Sequence, residues 1–239
     1  MPFRLFAAAF TILTALPAFA QSTLDAKFDV SFRGIVGGQI AISANEKGGA
    51  YVVSAQGRPT GVIGAIVEYQ YDGTARGIVR GGRHAVTTYE EQELDSGELT
   101  GAKMRFRNGR PTGVTFDPPR APEPHDIDPT AQSGVIDTLS ALYLMVRATA
   151  PDRACNQRYD LFDGRHVSRL TLGAAQVGDD GTISCAAEYL RLRGYTPEEM
   201  TKRSRVPMTV IYGPADFGRV QVTEIRATSR LGDAVLRRR

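Results

Sequence analysis

Apolar and polar residues alternate singly along much of this 239-residue chain, and that period of two restricts the fold to strands. Met104 and Phe106 alternate with Arg105 and Arg107, and beyond Asn108-Gly109 the apolar set resumes at Val114 and Phe116. Successive side chains of a strand point to opposite faces, so such a segment buries one row and wets the other. The pattern recurs in Phe28, Val30 and Phe32, in Tyr51, Val53 and Ala55, in Leu190 and Leu192 against Arg191 and Arg193, and from Val206 to Tyr212. Repeated this often, it predicts a mainly β protein: one extended antiparallel sheet with a single protected face.

Asp72-Gly73, Asn108-Gly109, Asp163-Gly164 and Asp180-Gly181 have the composition of two-residue hairpin turns. Gly-Arg-Pro-Thr-Gly occurs at residues 57–61 and again at 109–113, which we read as reuse of turn chemistry rather than duplication. A helix is expected from about Val135 to Arg147, capped by Ser133 or Thr130. Its apolar residues spread beyond one stripe, so it is expected to be buried on most sides. A second, short helix should begin at Thr196, with Pro197 in its first position and Glu199 completing a capping box, and end near Arg203. Five prolines between Asp117 and Pro129 bar that stretch from a sheet interior. We read residues 117–130 as an exposed connection within a single β-rich domain over 21–239; a domain boundary there is the alternative.

Residues 1–20 have the form of an export signal: Arg4, an apolar run from Leu5 to Leu16, and a small-x-small site at Ala18-Phe19-Ala20. The run is shorter than the roughly 20 residues a membrane-spanning helix needs. Cleavage after Ala20, a periplasmic location and a mature chain without stable membrane insertion are therefore expected. Without Arg4 the 29 Lys and Arg fall to 28 against 26 Asp and Glu, a balance that offers no basis for nucleic-acid binding. In an oxidising compartment Cys155 and Cys185 are expected to pair. A catalytic thiol or metal ligand is the weaker reading, since neither a Cys-x-x-Cys spacing nor a neighbouring His supports it. Strict two-residue turns at Asp163-Gly164 and Asp180-Gly181 would put the two cysteines on strands flanking a common one, about 10 Å apart and too far to bridge. Either a turn is longer than it looks or, as we expect, the loop before Asn156 folds across the sheet.

No catalytic constellation emerges, and no cofactor or metal is expected. His84, His125 and His166 lie far apart, and the sequence contains neither a nucleophile elbow nor a phosphate-binding glycine loop. Glu123, His125, Asp126 and Asp128 are the best metal candidates, but solvated acidic loops of this kind are common. Glu90, Glu91 and Glu93 are read as an outer charged strand facing the arginines of a neighbour.

The stretch Tyr159-Asp-Leu-Phe162-Asp163-Gly164-Arg165 resembles the Phe-Asp-Gly-Arg hallmark of the proteobacterial domain of unknown function 3108. Phe28 to Gly34, with Gly38 following, resembles that family's first hairpin, and a helix over Asp137 to Met145 just before Cys155 matches its order of elements. The family carries no established activity. What the resemblance implies is a periplasmic half-barrel, β-spiral or open barrel whose curved sheet wraps one apolar helix, a design shared with lipoprotein carriers. His166 stands where the usual motif has a second Arg, so Phe162, Asp163, Gly164 and Arg165 are assigned a structural turn and no binding role.

Three functions stay open. The first is a non-enzymatic envelope protein holding a lipid, another apolar ligand or a partner protein's segment in its curved sheet, with Phe106, Leu139, Tyr143 and Val210 as apolar lining. The second is a packed scaffold for envelope integrity. The third is a hydrolase of cell-wall or polysaccharide material.

Overall fold

The computed structural model describes residues 22–229 and 232–239; the expected export signal lies outside them. The N-terminal half is a meander of β1 (Ser22–Phe32), β2 (Ile35–Lys47), β3 (Ala50–Pro59), the one-turn helix α1 (Gly61–Gly64), β4 (Tyr69–Arg80), β5 (Arg83–Asp95), β6 (Glu98–Arg107) and β7 (Arg110–Asp117). A long connection then carries helix α2 (Thr138–Val146). The C-terminal half holds β8 (Gln157–Phe162), β9 (Val167–Val177), β10 (Ile183–Arg193), α3 (Pro197–Arg203), β11 (Arg205–Ala215), β12 (Arg219–Ser229) and β13 (Gly232–Arg238).

All thirteen strands form one antiparallel sheet in the order β7-β6-β5-β4-β3-β2-β1-β13-β12-β11-β10-β9-β8. The two meanders meet mid-sheet where β13 pairs with β1. This order leaves β7 and β8 at opposite edges, so the connection between them must cross a face of the sheet, and α2 lies in that crossing. Residues 134–136 tie the edges together: Gly134 N donates to Gly109 O at 3.1 Å, and Ile136 N donates to Asp160 O at 2.9 Å. Bulges at β1/β2, β4/β5, β6/β7, β9/β10 and β11/β12 add the local bending that a rolled sheet needs. The sheet curls around α2 and stays open, because β7 and β8 do not pair.

Alternation decides the interior. Phe28, Ile42, Tyr51, Val53, Tyr89 and Met104 point inward from the first half, and Phe162, Leu172, Cys185, Val210 and Tyr212 from the second. They pack on α2, whose Leu139, Ala141, Tyr143, Met145 and Val146 are all buried.

Some expectations are corrected. Asp72-Gly73 is no turn: Asp72 sits inside β4, opposite Gln56, and its carboxylate takes two hydrogen bonds from Arg58. The β3–β4 reversal is made by residues 60–68 around α1. The buried helix begins at Thr138, three residues later than expected, because residues 134–136 are drawn out to the edge of β8. Its cap is therefore Asp137, which accepts from Ser140 N at 2.8 Å, and not Ser133 or Thr130. The capping box at Thr196 and Glu199 is present as read.

The cysteine geometry resolves through both routes. Phe162 pairs with Val167 and Val177 with Ile183, so both turns are longer than two residues. A short 3-10 turn at Pro151–Arg153 then swings Cys155 over the sheet to Cys185. The two are bonded, with Cα atoms 5.7 Å apart.

Candidate functional site

A mismatch of lengths leaves part of the interior uncovered. Nine helical residues span about 14 Å, whereas the 13 residues of β2 run for about 43 Å. The helix therefore covers only part of the inner face. Its C-terminal end reaches Glu46 near the β2–β3 turn, where Tyr143 donates to Glu46 at 3.1 Å. Its N-terminal end stops at the level of Tyr89, whose hydroxyl lies 3.3 Å from Thr138 Oγ1. Beyond that level the inner face of β1 to β4 continues without a helix over it.

The result is a groove of about 510 Å³, lined almost wholly by apolar atoms. Val30, Phe32, Ile35 and Ile40 form one wall. Ile63 and Val67, from α1 and the loop after it, form a lip, and Tyr69 stands opposite. Ile35 is 67% exposed and Phe32 45%, so these carbons face solvent in the chain alone. Gly57 keeps the floor low: a Cβ there would meet Tyr71 Cβ at 3.4 Å and Tyr69 Cε1 at 3.9 Å, room for a methyl but not for a bulky side chain without filling the groove.

Between groove and helix lies a polar layer, buried at Tyr51, Tyr89, Asp137 and Ser140 and half-buried at Tyr71 and Glu91. The Tyr71 hydroxyl is 3.2 Å from that of Tyr89, which in turn donates to Glu91. Burial raises Glu91 above the ordinary carboxylate range, with Asp163 and Glu93 adding repulsion. Tyr51 and Ser140 share a 2.8 Å bond, and Asp137 is entirely enclosed. Burial pushes the Asp137 carboxyl up to about 6 against its own capping bonds, and its Oδ2 has no partner among the described residues. The outer-strand reading is corrected: β5 is an interior strand of the sheet, Glu90 faces outward but pairs with Lys103 at 3.6 Å rather than with an arginine, and Glu91 turns inward.

The Phe162-Asp163-Gly164-Arg165 motif forms the β8–β9 turn. Asp163 accepts from the backbone N–H of Arg165 and of His166 and from His166 Nδ1, at 2.9, 2.7 and 2.9 Å. These partners hold its carboxyl below the usual range despite burial. Arg165 pairs with Glu123 of the proline-rich connection at 3.0 Å. Gly164, at φ 102°, sits where a Cβ would lie 3.2 Å from Val114 of β7 and 3.6 Å from Met104 of β6. The turn is thus a seam between the two halves, and His166 stacks on Tyr195 with ring centres 4.2 Å apart.

Phe106, Leu139, Tyr143 and Val210 are packed in the core at 6, 2, 1 and 0% exposure; the apolar groove is lined by other residues. Its lip carried a signal in the sequence, the apolar run Gly61-Val-Ile-Gly-Ala-Ile-Val67, which has no strand alternation and no charge. The acidic connection is spent on itself: Asp126 and Glu123 bind Arg120, and Asp128 caps the turn at Thr130. Among the described residues no group of three or more metal-ligating side chains is placed to hold an ion, and no helix is long and apolar enough to cross a membrane.

Fold and groove together define an open, rolled antiparallel sheet enclosing one helix and leaving an apolar trough at one end. The chain belongs to the family described as Protein of unknown function (DUF3108), whose model matches residues 27–223, from β1 into β12. No curated protein and no solved structure matches it.

Proposed function

We propose that this is an exported, non-enzymatic envelope protein that holds an acyl chain in the trough between β1–β4 and the α1 lip. The observation that carries the reading is the inner sheet face left open beyond α2. Its volume falls within the range of ordinary ligand pockets, and its lining offers a ligand carbon with almost no hydrogen-bonding atoms. A hydrocarbon fits such a lining, whereas a polar ligand would lose its water bonds without replacement. Solvent-facing Phe32, Ile35 and Val67 are costly to leave bare and are covered when a chain lies between them. The hydrolase reading is not carried forward: Glu91 is half-buried and bonded to Tyr89, and Asp163 is occupied in shaping its own turn.

The test is native mass spectrometry with lipid extraction of the protein recovered from the cell envelope, beside Gly57→Leu and Gly57→Ala. We expect co-purifying acyl species in the parent and in Gly57→Ala. Occupancy should fall about tenfold in Gly57→Leu, equivalent to about 1.4 kcal/mol of binding. An unloaded parent, or equal loading of Gly57→Leu, refutes the reading. Photocrosslinking from position 35 to a protein instead would move the trough to the partner-segment alternative.

A further inference from the structure

The opposite end of the sheet carries a different chemistry. The β2–β3, β4–β5 and β6–β7 turns all emerge there, each two strands from the next, which spaces them by about 10 Å along the rim. Their flanking residues are Lys47, Arg80 with Arg83, and Arg107 with Arg110, all exposed. None of the five makes an ion pair with a described residue. The one acid beside them, Glu46, points inward, where His84, Tyr143 and Arg147 hold it.

The row continues around the C-terminal end of α2. A recess of about 480 Å³ opens at Gly82, in the β4–β5 turn, and is lined by Arg147, Arg153 and Arg158 together with His84. Among the described residues Arg147 Nε is buried without a partner, and Arg158 meets Asp160 only at 3.7 Å. Asp152 is the acid in the lining. Further round the same rim, the β11–β12 turn presents Phe217, 98% exposed.

We propose that this rim docks on an anionic phospholipid surface. Tight turns hold the five cations in a line along one rim of the sheet, spread over about 20 Å, which suits many phosphates better than one small anion. Arginine forks match phosphate oxygens bidentately, and basic clusters of this size are attracted to anionic leaflets. The exposed Phe217 ring favours a bilayer over a soluble polyanion, because only a bilayer gives it an apolar interior to enter. Docked this way, the apolar trough at the far end points away from the membrane.

The experiment is co-sedimentation of the full chain, as purified, with vesicles of phosphatidylcholine alone or with about 30% phosphatidylglycerol. Binding is expected to the anionic vesicles only, and to weaken at least about tenfold between about 0.05 and 0.5 M salt. The variant R80E/R83E/R107E/R110E should lose about tenfold or more of it while keeping its circular dichroism and thermal transition. The control K202E/R203E, on α3 at the other end, should bind as the parent does. Equal binding to neutral vesicles, or undiminished binding by the rim variant, overturns the proposal. Retention on heparin with no vesicle binding also overturns it and makes the rim a site for a soluble polyanion. Acyl loading of the rim variant, measured separately, distinguishes this failure from failure of the trough.

Discussion

Asp137 does two jobs that conflict. As helix cap it needs an acceptor oxygen, and as a wholly enclosed group it cannot stay ionised cheaply. Its folded pKa of about 6, raised from 3.8 by burial, means that the native state holds its proton more tightly than the unfolded chain. The stability this group allows is thus greatest at low pH and is lost as pH rises from about 4 through 6, by roughly 3 kcal/mol in all. Asp137→Asn keeps the cap and removes the titration. Urea unfolding of both proteins from pH 4 to 7.5 should show the variant gaining on the parent by up to about 3 kcal/mol as pH rises. A difference independent of pH would contradict this assignment. Helical spacing does not mark Asp137 out as the cap, since Ser133 and Thr130 are equally good caps, although the resemblance began the helix there; the path of residues 134–136 along β8 decides among them. Glu91 was equally illegible, because a carboxylate in an alternating strand is ordinarily on the wet face.

Turns show how far local chemistry carries an element. Asn108-Gly109 makes its hairpin as read, with Asn108 at φ 53° and Gly109 at φ 70°. Asp72-Gly73 has the same composition and lies flat in a strand, because Gly73 pairs with Ala55 and Glu91 in a ladder already set by its neighbours. Gly164 adds a tertiary demand to a turn. Gly164→Ala should cost about 1 to 3 kcal/mol, combining left-handed backbone strain with contact against Val114. Gly109→Ala, which meets nothing within 4 Å, should lose only the backbone part, about 1 kcal/mol. Thermal melts giving equal losses for the two would deny the seam its role. The α3 capping box was fully legible because both of its bonds lie within four residues.

At the scale of the whole molecule, a disulfide joins the crossing connection covalently to the C-terminal meander. Cys155 and Cys185 close a loop of 30 residues, and Cys155→Ser with Cys185→Ser should lower the unfolding free energy by about 3 to 4 kcal/mol, read as a lower urea midpoint. An unchanged midpoint would show that the packed helix already restrains that loop. Alternation alone determined the strands, their inward rows and the single antiparallel sheet, because a period of two is written residue by residue. The buried helix was legible too, from an apolar surface too broad for one face. Tertiary structure alone decided that β13 pairs with β1, that the connection therefore crosses the inner face, and that α2 ends short of the strands it covers. Each of these depends on which distant segments meet, and the open trough exists only as the difference in length between elements that the chain keeps about a hundred residues apart.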